Sequence, residues 1–262
     1  MTELVHLDVD AGVATITLDS PGNRNALSAQ LRGELLARLD AAIADEAARV
    51  LVLAHTGRVF CAGMDLKESR GAGAAGQGVH EFPAILQRIG ESPKPVVAKV
   101  AGAARAGGVG LIAACDIAIA AEGATFAFSE VRIGVVPAVI SVPVLPRLLP
   151  RAAHELFLTG ETFDAARAAA VGLVNASVPA DGLDAEVARY ADMLRLGAPR
   201  ALAATKELLR SPRDGAPADR YGAMQELSAG FFAGEEGQEG MRAFAEKRPP
   251  AWAVTPGAVT PG

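Results

Sequence analysis

The stretch Ala101-Gly-Ala-Ala-Arg-Ala-Gly-Gly-Val-Gly-Leu-Ile-Ala-Ala-Cys-Asp116 decides the fold. Before it, Pro95-Val-Val-Ala-Lys-Val100 is β-branched and marked by Pro93 and Pro95, which predicts an extended strand that turns at Gly102. From about Gly107 the pattern becomes helical. A helix opening on Gly107 and Gly108 has N–H groups without intrahelical partners and the positive end of the helix dipole, so it suits an anion or a developing oxyanion. The apolar strand Asp116-Ile-Ala-Ile-Ala-Ala121 follows. Strand, glycine turn, helix and strand in this order predict an α/β fold.

A second unit stands upstream. The buried-type strand Val50-Leu-Val-Leu-Ala54 leads through Phe60 into Cys61-Ala-Gly-Met-Asp-Leu66, which repeats the strand, loop and helix order. Oxyanion stabilisation needs two donors converging at about 3 Å, and two such turns can bring two backbone N–H groups together. Asp65 reads as a helix-start cap before it reads as a catalyst. Glu130, between Phe126-Ala-Phe128 and Val131, sits where burial would raise a carboxyl pKa into a general-base range. A salt bridge from Glu130 to Arg132 or Arg105 is the alternative. The glycine cluster has two others: simple close packing, or a relaxed dinucleotide fingerprint at Gly108-x-Gly110-x-x-Ala113. The six residues between Val100 and Gly107 argue against the fingerprint.

Outward from these turns, Leu4-Val9 and Val13-Leu18 alternate around Asp10-Ala-Gly12 and predict a hairpin. Ser28 is placed to cap a helix through about Ala44, with Leu27, Leu31, Leu35, Leu39 and Ile43 on one stripe and Arg32, Glu34, Arg38 and Asp40 mostly opposite. Residues Arg70 to Gly78 are nearly all glycine and alanine, and a short helix is expected from about His80 to Gly90. Further helices are expected at 142–149, 151–158, 164–170, 183–196, 199–210 and 217–247, with one strand near Leu173–Val178.

With 262 residues, half of them hydrophobic, the chain can bury a large core. A net charge of −5, with no Lys/Arg run longer than two, speaks against nucleic acid as a partner. Cys61 and Cys115 lie in apolar, small-residue settings, as reduced packed thiols do. Neither a leader nor a membrane span is read from the sequence, so a cytoplasmic protein is expected. His6, His55, His80 and His154 show no metal-ligand spacing, and neither a serine-hydrolase elbow nor a phosphate loop occurs.

These motifs resemble the crotonase superfamily of enoyl-CoA hydratases and isomerases. The resemblance covers nearly the whole chain: Pro21-Gly-Asn-Arg-Asn-Ala-Leu-Ser28, Phe60-Cys-Ala-Gly-Met-Asp-Leu66, Lys94-Pro-Val-Val-Ala98, Gly107-Gly108 with Cys115-Asp-Ile-Ala-Ile-Ala120, Ser129-Glu-Val-Arg-Ile-Gly134, Leu158-Thr-Gly160 and Gly172-Leu-Val174. It implies a spiral of ββα units as catalytic core over 1–195 and a helical trimerisation region with tail over 196–262. It also implies a homotrimer or dimer of trimers, an acyl-CoA substrate and no cofactor. Carried over by position, it makes the backbone N–H groups of Met64 and Gly107 the oxyanion donors and Glu130 the acid/base. Arg24, Ala26, Ala62, Asp65, Leu66, Gly108 and Ser129 would line the acyl-CoA path, with the glycine/alanine insert near the acyl end. Phe244 and Lys247 match a closing segment that reaches CoA.

One position departs from the pattern. Two-glutamate hydratases carry an acid three residues after the oxyanion glycine, and here that position is Gly110. The leading expectation is a hydratase working with Glu130, similar in motif texture to bacterial methylglutaconyl-CoA-type enzymes of leucine or isoprenoid breakdown. A substrate carboxylate would then meet Arg105, Arg70 or Arg132. The alternatives are a Δ3,Δ2-enoyl-CoA isomerase shuttling a proton on Glu130, a catalytically impaired acyl-CoA-binding or scaffold protein and, more remotely, a dehydrogenase.

Overall fold

A computed structural model describes residues 2–68, 81–211 and 217–253. The insert 70–78, with Arg70, and His80 lie outside the described residues. The predicted hairpin is β1 (Val5–Asp10) and β2 (Val13–Leu18), paired antiparallel from Val5↔Leu18 to Asp10↔Val13. Its two-residue turn places Ala11 and Gly12 at φ +46° and +82°, the twist that short hairpin turns favour. From β2 onward the sheet is parallel. Its order is β1-β2-β3-β5-β7-β10, with β3 at Val50–His55, β5 at Val96–Val100, β7 at Ile117–Ala121 and β10 at Ala176–Val178.

Both faces of this sheet are covered, which is why its central strands read as unbroken apolar runs. Leu51, Leu53, Ala98 and Ala120 join the main core with α1 (Ala29–Ala44), whereas Val50, Val52, Val97 and Ile119 pack on Leu183, Val187 and Ala191 of α7 (Leu183–Arg195). Ser28 caps α1 as expected, its side chain accepting from Leu31 N–H. Arg32, expected on the polar side, is buried instead. It donates to the Leu27 carbonyl at 2.6 Å and to Glu81 at 3.1 Å, so it ties α1 to the start of α2 (Phe82–Glu91).

A second sheet was not legible in the sequence. It consists of β4 (Val59–Cys61), β6 (Ala103–Arg105), β8 (Thr125–Ala127) and β9 (Phe163–Asp164), with the first three parallel. The pairs β3/β4, β5/β6 and β7/β8 each send one strand into the large sheet and the next into the small one. After them come α2, α3 (Gly107–Ala114) and α4 (Ala138–Val144) respectively, which makes the fold a spiral of ββα units.

Three local expectations are corrected. The helix expected at 142–149 begins earlier, after Pro137, and gives way before Leu149, which precedes Pro150 and is extended (φ −57°, ψ 134°). The helix expected over 217–247 is two, α9 (Pro217–Ala233) and α10 (Glu235–Glu246), because Gly234 is extended between them at ψ 162°. No helix follows Asp65 among the described residues; a turn does. Before α9, the chain forms α5 (Pro150–Thr159), α6 (Ala165–Ala170) and α8 (Pro199–Arg210). Buried Lys206 of α8 reaches Asp116 at 2.7 Å and the Lys94 carbonyl at 3.0 Å, which pins α8 to the ends of β5 and β7. No described helix is long and apolar enough to cross a membrane.

Candidate active site

The site grows from the carboxyl ends of β4, β6 and β8. These strands are neighbours in register, with Cys61 opposite Ala104, and Ala104 and Arg105 opposite Phe126 and Ala127. Carboxyl ends of adjacent parallel strands are where α/β folds open their ligand crevices. Met64, Gly107 and Glu130 stand just beyond those three ends, so strands far apart in sequence deliver the three candidates to one edge.

The Met64 turn is fixed from behind. Buried Asn25 accepts from Ser20 N–H at 2.7 Å and donates to the carbonyls of Thr56 (3.1 Å) and Val59 (2.8 Å), which clamps the 20–28 loop to β4. Arg24 and Asn25 both have positive φ, and asparagine tolerates that conformation better than most residues. From this loop, the Arg24 carbonyl accepts from Ala62 N–H and Leu27 N–H donates to the Gly63 carbonyl at 2.8 Å. Asp65 accepts from Asn23 Nδ2 at 2.7 Å and from Lys67 N–H at 2.9 Å. Burial raises its pKa, but the bonds from Asn23 and the backbone outweigh that and leave it below the ordinary carboxylate range.

The Gly107 turn interlocks with it. Gly63 has φ +87°, and a Cβ there would lie 3.0 Å from Ala106 Cβ and 3.4 Å from Gly107 N. A Cβ on Gly108 would lie 2.4 Å from the Cys61 carbonyl oxygen, so α3 and the end of β4 touch through a missing side chain. Between them Ala106 is held at φ +47°, ψ −118°, a conformation that favours glycine. Its N–H donates to the Ala127 carbonyl at 3.1 Å, which hooks this bend onto the end of β8. Among the described residues, neither Met64 N–H nor Gly107 N–H has a hydrogen-bond acceptor.

Glu130 lies in the one-turn 3-10 helix Ser129–Ile133 and is 9 % exposed. Its carbonyl accepts from Val135 N–H at 3.0 Å, and Phe128 before it packs on Phe157 with ring centres 4.3 Å apart. Burial pushes the carboxyl pKa up against an opposing bond from its own backbone N–H, and buried Oε2 has no partner among the described residues. The salt-bridge alternative is not what the structure contains. Arg132 donates to the Thr159 carbonyl, and Arg105 to the carbonyls of Ala104 and Thr125 and to Thr125 Oγ1.

Ala26 is buried, Ala62 and Ser129 are half-buried, and Arg24 and Leu66 are exposed. Phe244 and Lys247 are not joined to these turns: both are exposed on or next to α10, which packs chiefly on α9. Two cavities of about 390 and 350 Å³ lie where α8, α9 and α10 meet, share Phe231, Glu236 and Gly237, and touch none of the candidate residues. Among the described residues, no group of three or more His, Cys, Asp or Glu side chains could hold a metal ion.

Gly110 lies one turn along α3 from Gly107. A Cβ there would meet Ile140 Cγ2 at 2.6 Å, so the position left without a carboxylate is closed by an isoleucine from α4. Sequence reading passed over Ile140, as it passed over the clamp by Asn25 and the strain at Ala106. Only Asn25 left a local signal, an asparagine in a loop flanked by strand and helix.

Two sheets wound from successive strand pairs, with turns at the ends of three parallel strands, define the crotonase class of α/β folds. The chain belongs to the enoyl-CoA hydratase/isomerase family, whose sequence pattern matches residues 8–255. An enoyl-CoA hydratase from Shewanella pealeana is 34 % identical, with a TM-score of 0.89 over 95 % of this chain and 96 % of that one. Pseudomonas aeruginosa AtuE is 38 % identical at a TM-score of 0.89, over 96 % and 100 %. The mevalonyl-coenzyme A hydratase of Beauveria bassiana is 34 % identical over 258 residues, 92 % of this chain and 91 % of that protein.

Proposed function

We propose that the chain is an enoyl-CoA hydratase, a lyase that adds water across the 2,3 double bond of an enoyl-CoA thioester. One observation carries this: among the described residues, two N–H groups without an acceptor and a buried carboxylate with one unpartnered oxygen stand beyond the ends of three adjacent parallel strands. The thioester oxygen accepts from Met64 and Gly107 N–H, and these donors strengthen as negative charge develops on it. Glu130 takes a proton from water while the water oxygen bonds to Cβ. The resulting enolate collapses as the Glu130 carboxyl returns a proton to Cα, so water is added and Glu130 ends as it began.

The same single carboxylate supports a second reading, a Δ3,Δ2-enoyl-CoA isomerase in which Glu130 removes a proton from C2 and returns it to C4. The motif texture and the relationship to a mevalonyl-coenzyme A hydratase favour a branched acyl group such as 3-methylglutaconyl, in leucine or isoprenoid breakdown. Exposed Arg132, which spends one bond on the Thr159 carbonyl, is then better placed to meet a substrate carboxylate than Arg105, whose guanidinium makes three bonds to Ala104 and Thr125. No cofactor enters the reaction. Exposed Tyr221, Phe232 and Phe244 support assembly through the C-terminal helices as a trimer or dimer of trimers.

Product analysis with a 2-enoyl-CoA, a 3-enoyl-CoA and 3-methylglutaconyl-CoA tests the assignment. A 3-hydroxyacyl product from the 2-enoyl or methylglutaconyl thioester is expected. Migration of the double bond alone would establish the isomerase, and turnover of none would remove both.

A further inference from the structure

In the seam between α2, α3 and α4 beside the Gly107 donor, the side chains that a Cβ at Gly107 or Gly110 would meet first are apolar: Leu27, Phe82, Leu86 and Ile140. Gly107 and Gly110 are one helical turn apart and share a face of α3. Against that face, Phe82 and Leu86 of α2 are themselves spaced i, i+4. A Cβ at 107 would lie 3.3 Å from the Phe82 ring, and a Cβ at 110 would lie 3.7 Å from Leu86 Cδ2. The third side is Ile140, 3 % exposed, whose Cγ2 and Cβ would lie 2.6 and 3.2 Å from a Cβ at 110. The volume that a side chain at 110 would enter is therefore already filled from α4, thirty residues further along the chain.

We infer that Ile140 is a specificity-determining residue: it holds the site to one carboxylate and forms the apolar wall facing the acyl β-carbon. Its reach follows from helix geometry. The three residues of α3 from Gly107 to Gly110 rise about 4.5 Å, and the β-carbon of an enoyl thioester is three bonds from the oxygen held at Gly107 N–H. A group at the 110/140 contact is thus level with the β-substituent. Gly110 and Ile140 then act as one unit of fixed volume, and glutamate at 110 has no room until Ile140 is cut back. This catalytic part rests on the proposed acyl-CoA reaction; the steric coupling does not.

Two measurements test it. The first is a thermal-unfolding cycle on the full chain with Gly110→Ala, Ile140→Ala and both. Gly110→Ala is expected to lower Tm in the native background through the clash, and to raise it when Ile140→Ala has removed Cγ2, because alanine suits a helix better than glycine. A shift of the same sign in both backgrounds overturns the coupling. The second compares kcat/KM for 2-enoyl-CoA thioesters with and without a β-methyl or larger β-substituent. Ile140→Ala is expected to shift the ratio toward the bulkier substrate by about tenfold, and Gly110→Glu/Ile140→Ala to add an ionisation to the pH–rate profile that Gly110→Glu alone does not add. An unchanged substrate ratio beside a sign-reversing Tm cycle reduces Ile140 to packing and overturns its part in specificity. Absence of turnover in the unaltered chain defeats the proposed function instead, and the Tm cycle still decides the coupling by itself.

Discussion

Gly108→Ala probes the contact on which the paired donors depend. The new Cβ would lie 2.4 Å from the Cys61 carbonyl oxygen and 2.8 Å from Cys61 Cβ, whereas ordinary contact begins at 3.4 Å. Both neighbours belong to β4, which is paired to β6 and cannot turn aside as a flexible side chain does. The start of α3 and the end of β4 must therefore separate by about 1 Å. Donors serve an oxyanion only within about 2.7–3.1 Å of it, so this opening removes one of the two, and losing one such donor costs about 10²–10³ in kcat. Stability should move less: overpacking costs about 1–3 kcal/mol, and the helix preference of alanine over glycine offsets about 1 kcal/mol of it. The assay is steady-state kinetics on the substrate found in the product analysis, beside thermal unfolding. Gly33→Ala is the control, since that α1 glycine has nothing within 4 Å of a new Cβ and should gain stability with kcat intact. A folded Gly108→Ala protein whose kcat stays within about tenfold of the original would refute the pairing of Met64 and Gly107 as donors.

Glu130→Gln should lower turnover by about 10²–10⁴ and leave acyl-CoA affinity, measured by calorimetry, largely unchanged, because the donors are main chain; full activity would show that another group carries the proton. Burial raises the Glu130 pKa, so the native chain keeps this proton to higher pH than the unfolded chain, and stability falls as pH climbs from the ordinary carboxylate range through the raised value. Urea unfolding across that range should show the fall in the original protein and its loss in Glu130→Gln. Asn25→Ala deletes three part-buried hydrogen bonds of a buried side chain, worth about 0.5–1.5 kcal/mol each, so a destabilisation of roughly 3 kcal/mol is expected by the same method. A loss below about 1 kcal/mol, the worth of a single such bond, would mean that the 20–28 loop is held elsewhere. Ala106→Gly releases strain of about 1–3 kcal/mol against about 0.5–1 kcal/mol of added chain entropy, so Tm should rise while kcat falls as the Gly107 donor loosens; a lower Tm would deny the strain.

The large sheet was readable because β3, β5 and β7 are long enough, and buried deeply enough on both faces, to appear as apolar runs. The two donor turns were readable for a related reason: glycine clusters straight after such runs have few other uses. The small sheet was not. Ala103-Ala-Arg105 is too short and too small-sided to show a period of two, and it becomes a strand only through the neighbours on either side. Arg32 misled because charge marks a polar face only where no carbonyl lies in reach, and the Leu27 carbonyl does. Ile140 had no local signature, since its meaning depends on a glycine thirty residues earlier. The break at Gly234 was hidden by the helix-compatible residues on both sides.

Cys61 ends β4 with its thiol fully buried and its pKa pushed up to about 12 by burial, and Cys115 beyond α3 is buried and raised in the same way. In the closed fold neither presents a thiolate to a reagent. The Cys61 side chain faces the same contact with Gly108 that aligns the two turns, so its alkylation must wait for that contact to open. The molecule thus carries an internal clock on its own active centre: the labelling rate of Cys61 counts how often the donor turns part, without substrate and without turnover.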